Sequence, residues 1–286
     1  LSAHSLTRQR MTPNAPSTFN NMLLIAGFEC RKFLFNLRGI IALIAFALVW
    51  GMLLLYPIQG ASTLLMQPNI KDLIDGLLGS QALNMLFDWP VAEMAIFWCF
   101  ALYLFPMFSI LIAADQFSSD KSRGTLRFYT LRTSKDSLLF GRFLGQILIQ
   151  GLLILLTILA TIALALTRDI GLLLPALTSG ALVGINLVIV ILPFTAVMTL
   201  LSLYANTARQ AMVLATILWT VVSIALLILG NQSSLFEGLQ WLLPGAQLSN
   251  MVNTNGLNSF AYAPIPLLQT AFALFLGRVY IQRSQL

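Results

Sequence analysis

The stretch Asp115–Gly145 reads DQFSSDKSRGTLRFYTLRTSKDSLLFGRFLG and holds six of the chain's sixteen lysines and arginines and three of its ten acids. Directly before it runs Met94–Ala114, MAIFWCFALYLFPMFSILIAA; Phe143–Thr167 overlaps its end and runs on beyond it. Neither run contains a charged residue. Each is long enough to cross a hydrocarbon core of ~30 Å, which takes about 20 apolar residues in a helix. A charged island between two such runs reads as an aqueous loop between two membrane spans.

The rest of the chain follows the same pattern. Of its 286 residues 58% are hydrophobic and 9% charged, and the mean hydropathy is +0.85. Soluble domains carry about 25% charged residues. Six apolar runs qualify as spans: 39–58, 94–114, 143–167, 172–204, 211–229 and 264–281. Charges mark their ends, because one at the bilayer centre costs about 2.5–3.5 kcal/mol on insertion scales. Only the fourth run is overlong, and Pro175 and Pro193 within it predict a kink, a tilt or an interfacial first turn. The expected fold is therefore an all-α integral membrane protein with six transmembrane helices, a single transmembrane domain over 18–286. Residues 1–17 are expected to be a tail or an upstream extension, with Met11 a candidate start. No signal peptide is expected, since the first apolar run begins near residue 39.

An even number of spans puts both termini on one side. Fourteen of the sixteen basic residues then share that side, and Lys71 and Arg168 lie opposite. Cytoplasmic loops carry the excess of Lys and Arg, so both termini are expected in the cytoplasm, with the protein in the plasma (inner) membrane. The same rule accounts for the net charge of +6 without nucleic-acid binding. Before the first span, Thr18–Leu37 mixes apolar residues with Glu29, Arg31 and Lys32, and Leu24, Phe28 and Phe35 can share a stripe. That pattern predicts an amphipathic helix in the membrane interface. On the outer side, Gln59–Glu93 carries four acids, and the patch Leu235–Leu243 is too short to span and reads as a hairpin dipping into the outer leaflet.

Catalysis finds little to work with. The lone histidine is His4, the two cysteines Cys30 and Cys99 have neither CxxC spacing nor a histidine partner, and no GxxxxGK[ST] occurs. Spans almost free of ionisable residues also disfavour a proton- or ion-coupled carrier. Gly141-x-x-x-Gly145 and Gly180-x-x-x-Gly184 have the spacing of close helix approach. Asn186, Thr195, Thr199 and Ser202 either line a path or bond to neighbouring helices; Asn186, Thr195 and Thr199 are the path candidates.

Within the loop, Gly124 can bend the chain between helix-like segments that would turn Arg123, Arg127 and Arg132 to water. An ordinary positive-inside loop explains those arginines but not the acids among them. The residues Asp115, Ser119-Asp120-Lys121, Arg123-Gly124-Thr125-Leu126 and Gly141-Arg142-Phe143-Leu144-Gly145, with Phe28-Glu29-Cys30-Arg31-Lys32 upstream, resemble the permease subunits of ABC-2 type transporters. The resemblance runs from about residue 20 to the end and is specific in the central loop. A proline common after Gly-Thr-Leu is missing, and Arg127 stands where an acid is common.

The resemblance implies a dimer of permease subunits, identical or homologous, above two separate ABC ATPase subunits. ATP and Mg would belong to those partners, with no cofactor on this chain, and an N-terminal elbow helix and the loop would meet the ATPase. It assigns ATPase coupling to Asp115, Asp120, Arg123, Gly124, Thr125, Leu126 and Arg132, with Glu29 in support. The expected function is the membrane-spanning subunit of an ATP-driven exporter; a non-transporting scaffold anchoring a cytoplasmic complex through the same loop is the rival.

Overall fold

The computed structural model describes residues 18–67, 87–230, 240–254 and 256–284, and among these no strand occurs. The expected tail, Lys71 and most of the Leu235–Leu243 patch lie outside the described residues. Six helices are long and apolar enough to cross a membrane: Gly39–Leu65, Ala92–Ser122, Lys135–Arg168, Ile170–Tyr204, Ala208–Ile228 and Asn258–Arg283. They are called spans 1 to 6. The chain is a multi-pass membrane protein. Its surface agrees, for Leu48, Leu55, Leu155, Leu159, Ile217 and Phe272 on the spans are all largely exposed. Lipid tails are as apolar as leucine, so such faces need no protein cover.

Helix α1, Thr18–Phe35, precedes span 1. The two are joined by a sharp bend at Asn36, whose backbone is extended. A Cβ on Gly39 would overlap the Phe33 carbonyl oxygen outright, so the bend requires glycine. Span 1 continues past Ile58 through a π turn over Leu54–Ile58 that contains Pro57, and ends at Leu65. The wider turn accommodates a proline that has no N–H to give. Span 3 begins eight residues before the apolar run, at Lys135, where the Ser134 side chain caps it by accepting from the Ser137 N–H. Span 4 is one helix from Leu173 to Tyr204, entered through a 3-10 turn over Ile170–Leu172, with Pro193 inside it.

Spans 2, 3 and 4 form the centre. Trp98, Phe97, Leu102, Ile154, Leu187 and Val190 are buried there. Trp50 of span 1 stacks on Phe105 of span 2 with ring centroids 5.1 Å apart. Gly180 and Gly184 of span 4 face Ile158 of span 3, and a Cβ on Gly180 would lie 2.9 Å from the Ile158 Cγ2. On the side away from the described chain ends, Arg168 pairs with the buried Glu93 at 3.2 Å. The segment before span 6 folds back onto the bundle there. Trp98 donates to the Met251 carbonyl at 3.2 Å, and Trp219 to that of Pro244 at 3.1 Å.

The charged loop, α1 and the end of span 6 meet on one face. Lys135 donates to the Ser284 carbonyl at 2.8 Å, Arg278 pairs with Asp136 at 3.0 Å, and the Ser137 hydroxyl donates to the Thr18 carbonyl at 3.2 Å. These contacts gather both described chain ends beside the loop, as an even number of spans demands.

Candidate functional site

At the centre of that face lies Arg142. It is 2% exposed although it belongs to one of the most strongly hydrated residue types. What buries it is the packing of α1 across span 3. A Cβ on Gly141 would fall 2.9 Å from Ile25 Cβ, and one on Gly145 would fall 3.0 Å from Glu29 Cβ and 3.3 Å from Ala26 Cα. The two glycines thus let α1 lie directly on the helix, and Ala26 is its buried contact. This approach sets Glu29 beside the guanidinium, with Oε1 3.6 Å from Arg142 Nε. That distance is too long for a hydrogen bond, and Nε has no hydrogen-bond acceptor among the described residues; the link is coulombic. Asp120 accepts from the Nη2 end and the Gln116 carbonyl from the Nη1 end. The Phe117 ring lies 4.8 Å from the guanidinium carbon and the Tyr129 ring 5.5 Å, within the range at which ring faces attract a cation. One side chain therefore ties together α1, the end of span 2, the loop and span 3. A planar fork with five donors can do this; a point charge on a flexible stem cannot.

The loop above this knot is a pair of short helices, Ser118–Ser122 and Leu126–Arg132. Gly124 joins them at φ +70°, where an L side chain is strained. Thr125 donates to the Asp120 carboxylate at 3.1 Å, and Lys121 donates to the Tyr204 carbonyl at 2.8 Å. Leu126 is buried with Phe117, Leu138, Leu139, Leu203 and Ile281. Asp115 is exposed and accepts from the Ser118 hydroxyl at 3.2 Å, and from that of Ser119. The coupling candidates thus divide in two. Glu29, Asp120, Thr125 and Leu126 face inward and build the base, while Asp115, Arg123, Gly124 and Arg132 lie on the surface.

Two residues missed at the sequence level share that surface: Phe128 is 68% exposed and Leu131 77%. Their signal was present as apolar residues between arginines, and the expected stripe gave it no separate meaning. The stripe on α1 behaves similarly: Leu24, Phe28 and Phe35 point away from the bundle, and the small residues do the packing.

A ladder of buried polar groups leads from the knot into the membrane. Thr199 donates to Gln116 Oε1 at 2.8 Å. Farther along, Thr195 and Ser109 both donate to Gln150 Oε1, at 3.1 and 2.8 Å. The Phe117 N–H donates to the Ser202 hydroxyl at 3.0 Å. Asn186 turns its amide to the Leu182 carbonyl of its own helix at 3.0 Å. The three path candidates, Asn186, Thr195 and Thr199, are all buried inside the protomer. Glutamines 116 and 150 were the partners the sequence left unassigned.

The family model for ABC-2 family transporter proteins matches residues 23–280, from the first turns of α1 to the last turn of span 6. The chain belongs to the ABC-2 transporter family. No curated protein matches it. The knot, the loop and the ladder all lie inside the matched region of this ABC-2 protein. Its Cys30 thiol, on α1, is pushed up by burial and then by the Glu29 charge, which keeps it protonated and unreactive at neutral pH. Among the described residues, no three of His, Cys, Asp and Glu cluster to hold a metal ion.

Proposed function

We propose that the chain is the permease subunit of an ATP-driven ABC-2 exporter, working as a dimer and driven by separate ATPase subunits docked on the face that carries both termini. That face is cytoplasmic in this reading, and the membrane is the plasma (inner) membrane. The observation that carries it is the exposed pair Phe128 and Leu131, set among exposed arginines on a helix anchored by Arg142. Apolar side chains that project into water from a charged, well-anchored helix fit a groove of a soluble partner.

In this mechanism ATP-driven closure of the partner pushes the Leu126–Arg132 helix. Asp120 and Tyr129 pass the displacement to Arg142, which moves α1, the end of span 2 and span 3 as one body. Gln116 and Thr199 extend the link to span 4. Such a chain of packed, bonded elements shifts as a unit rather than deforming. Spans 1, 5 and 6 are the least covered, which leaves faces for a second permease subunit and for lipid. Arg123 and Arg132 steer the ATPase, and Phe128 and Leu131 seat in it.

The test is a mild-detergent pull-down of the tagged chain from its native membranes, with ATP turnover measured on the eluate. A roughly equimolar ATPase, lost in the variant Phe128→Ser/Leu131→Ser while the permease stays monodisperse, supports the reading. A chain that carries no ATPase, or holds another soluble enzyme by the same loop, points to the scaffold.

A further inference from the structure

A cleft of about 470 Å³ opens between α1, span 1, span 2 and span 3. Its two ends differ in chemistry. The inner end is apolar, walled by Phe46, Val49, Leu111 and Leu153. The end nearest the loop is lined by Lys32, Asp115, Arg123, Gln116 and Gln146.

Two of those polar side chains are buried without satisfaction. Gln116 and Gln146 are each 7% exposed, yet Gln116 Nε2 and Gln146 Oε1 have no hydrogen-bond partner among the described residues. One is a donor and the other an acceptor, both in the wall of the same cleft. Buried amide groups normally find partners, and more strictly in a membrane than in water.

The charges sort in the same way. Glu29 and Asp120 are engaged by Arg142. Among the described residues Asp115 is met by serine hydroxyls, and Arg123 forms no ion pair. Lys32 reaches Glu29 at 3.9 Å, too far for a hydrogen bond, and its charge also acts on Asp120 without bonding to it. The cleft therefore offers cations, one carboxylate, a donor and an acceptor at one end, and hydrocarbon at the other. We propose that it binds a zwitterionic phospholipid with an ammonium headgroup, such as a phosphatidylethanolamine. Lys32, Arg123 and Gln116 Nε2 receive the phosphate, Asp115 and Gln146 Oε1 receive the ammonium, and an acyl chain runs along Phe46 and Leu111. An anionic lipid would leave the carboxylate and the acceptor unanswered. The site stands whether or not the chain works as a transporter.

The test is native mass spectrometry of the full chain, stripped of lipid by detergent exchange. It is titrated separately with dioleoyl-phosphatidylethanolamine, dioleoyl-phosphatidylglycerol and free phosphoethanolamine. The expected result is one phosphatidylethanolamine per chain, bound at least tenfold more tightly than phosphatidylglycerol, with no binding of the free headgroup. Gln146→Leu removes the acceptor, and Val49→Trp fills the cleft from span 1 at its apolar end. Each is expected to weaken the tight site at least tenfold. Equal binding of the two lipids overturns the headgroup assignment. Binding of phosphoethanolamine as tight as that of the lipid shows a soluble-headgroup site instead. Wild-type binding by both variants overturns the location, and the lipid preference of the unmodified chain decides the matter even where a variant fails to fold.

Discussion

Replacing Arg142 by methionine removes the buried cation between Glu29 and Asp120 and leaves them only the half-exposed Lys32, 3.9 Å from Glu29, among the described residues. The side chains of the three residues are 2%, 13% and 15% exposed, so water reaches the two carboxylates poorly once the guanidinium is gone. Removing one partner of a buried ion pair costs about 3–5 kcal/mol, because a buried charge is left uncompensated. At about 2–4 °C per kcal/mol for a chain of this size class, the loss corresponds to a drop in Tm of roughly 6–20 °C. Thermal unfolding in a mild detergent, followed by the loss of the monodisperse peak on size exclusion, reads this directly.

The comparison that isolates the charge is the triple variant Arg142→Met/Asp120→Asn/Glu29→Gln. It removes both orphaned carboxylates and is expected to recover more than half of the lost Tm, since neutral groups of the same shape carry a much smaller desolvation cost. Arg142→Lys keeps the charge and loses the fork. It cannot serve Glu29, Gln116 and Asp120 together and is expected to fall between wild type and Arg142→Met. The reasoning is refuted if Arg142→Met unfolds within about 2 °C of wild type, or if the triple variant is no more stable than the single one.

Gly39→Ala forces a methyl group into the Phe33 carbonyl and is expected to cost at least the ~1–3 kcal/mol of an overpacked site, while Gly51→Ala on the same span, with open space around it, is neutral or slightly stabilising; unfolding of the two variants side by side checks this. Gly124→Ala places a side chain at φ +70° and is expected to cost about 1–2 kcal/mol, with Gly124→Asn costing less because asparagine tolerates that region; the order of the three Tm values is the readout. The Cys30 thiol, pushed up by burial and then by the Glu29 charge, is expected to react slowly with a maleimide at pH 7, and faster as pH rises and the thiolate appears. A Glu29→Gln variant removes the charge that helps raise it and is expected to react faster at any given pH.

How much of this could be read from the chain alone differs sharply between the spans and the site. The number of spans and the side on which charge collects followed from the sequence, because the cost of placing a residue in hydrocarbon belongs to that residue and adds along the chain. Met94–Ala114 and Phe143–Thr167 are as apolar in isolation as in the fold. That both described chain ends lie on the side of the loop follows from the even count. Gly124 as the bend was legible as well, since turn chemistry is local.

The site was legible only in outline. In the sequence Arg142 and Arg168 look alike, each a charge at the edge of the same apolar run. The tertiary structure separates them. Arg168 takes one acid, Glu93, on the opposite face and stays partly exposed, whereas Arg142 is enclosed because Gly141 and Gly145 admit α1 and bring Glu29 onto it. Its other carboxylate, Asp120, comes from the last turn of span 2, and its rings come from Phe117 and Tyr129. Gln116 and Gln150 acquired meaning in the same way, once Thr199, Thr195 and Ser109 faced them. Hydrophobic transfer is a property of single residues and is written in their order; the neutralisation of a buried charge depends on which distant residues packing brings within a few ångströms, and only the folded helices decide that.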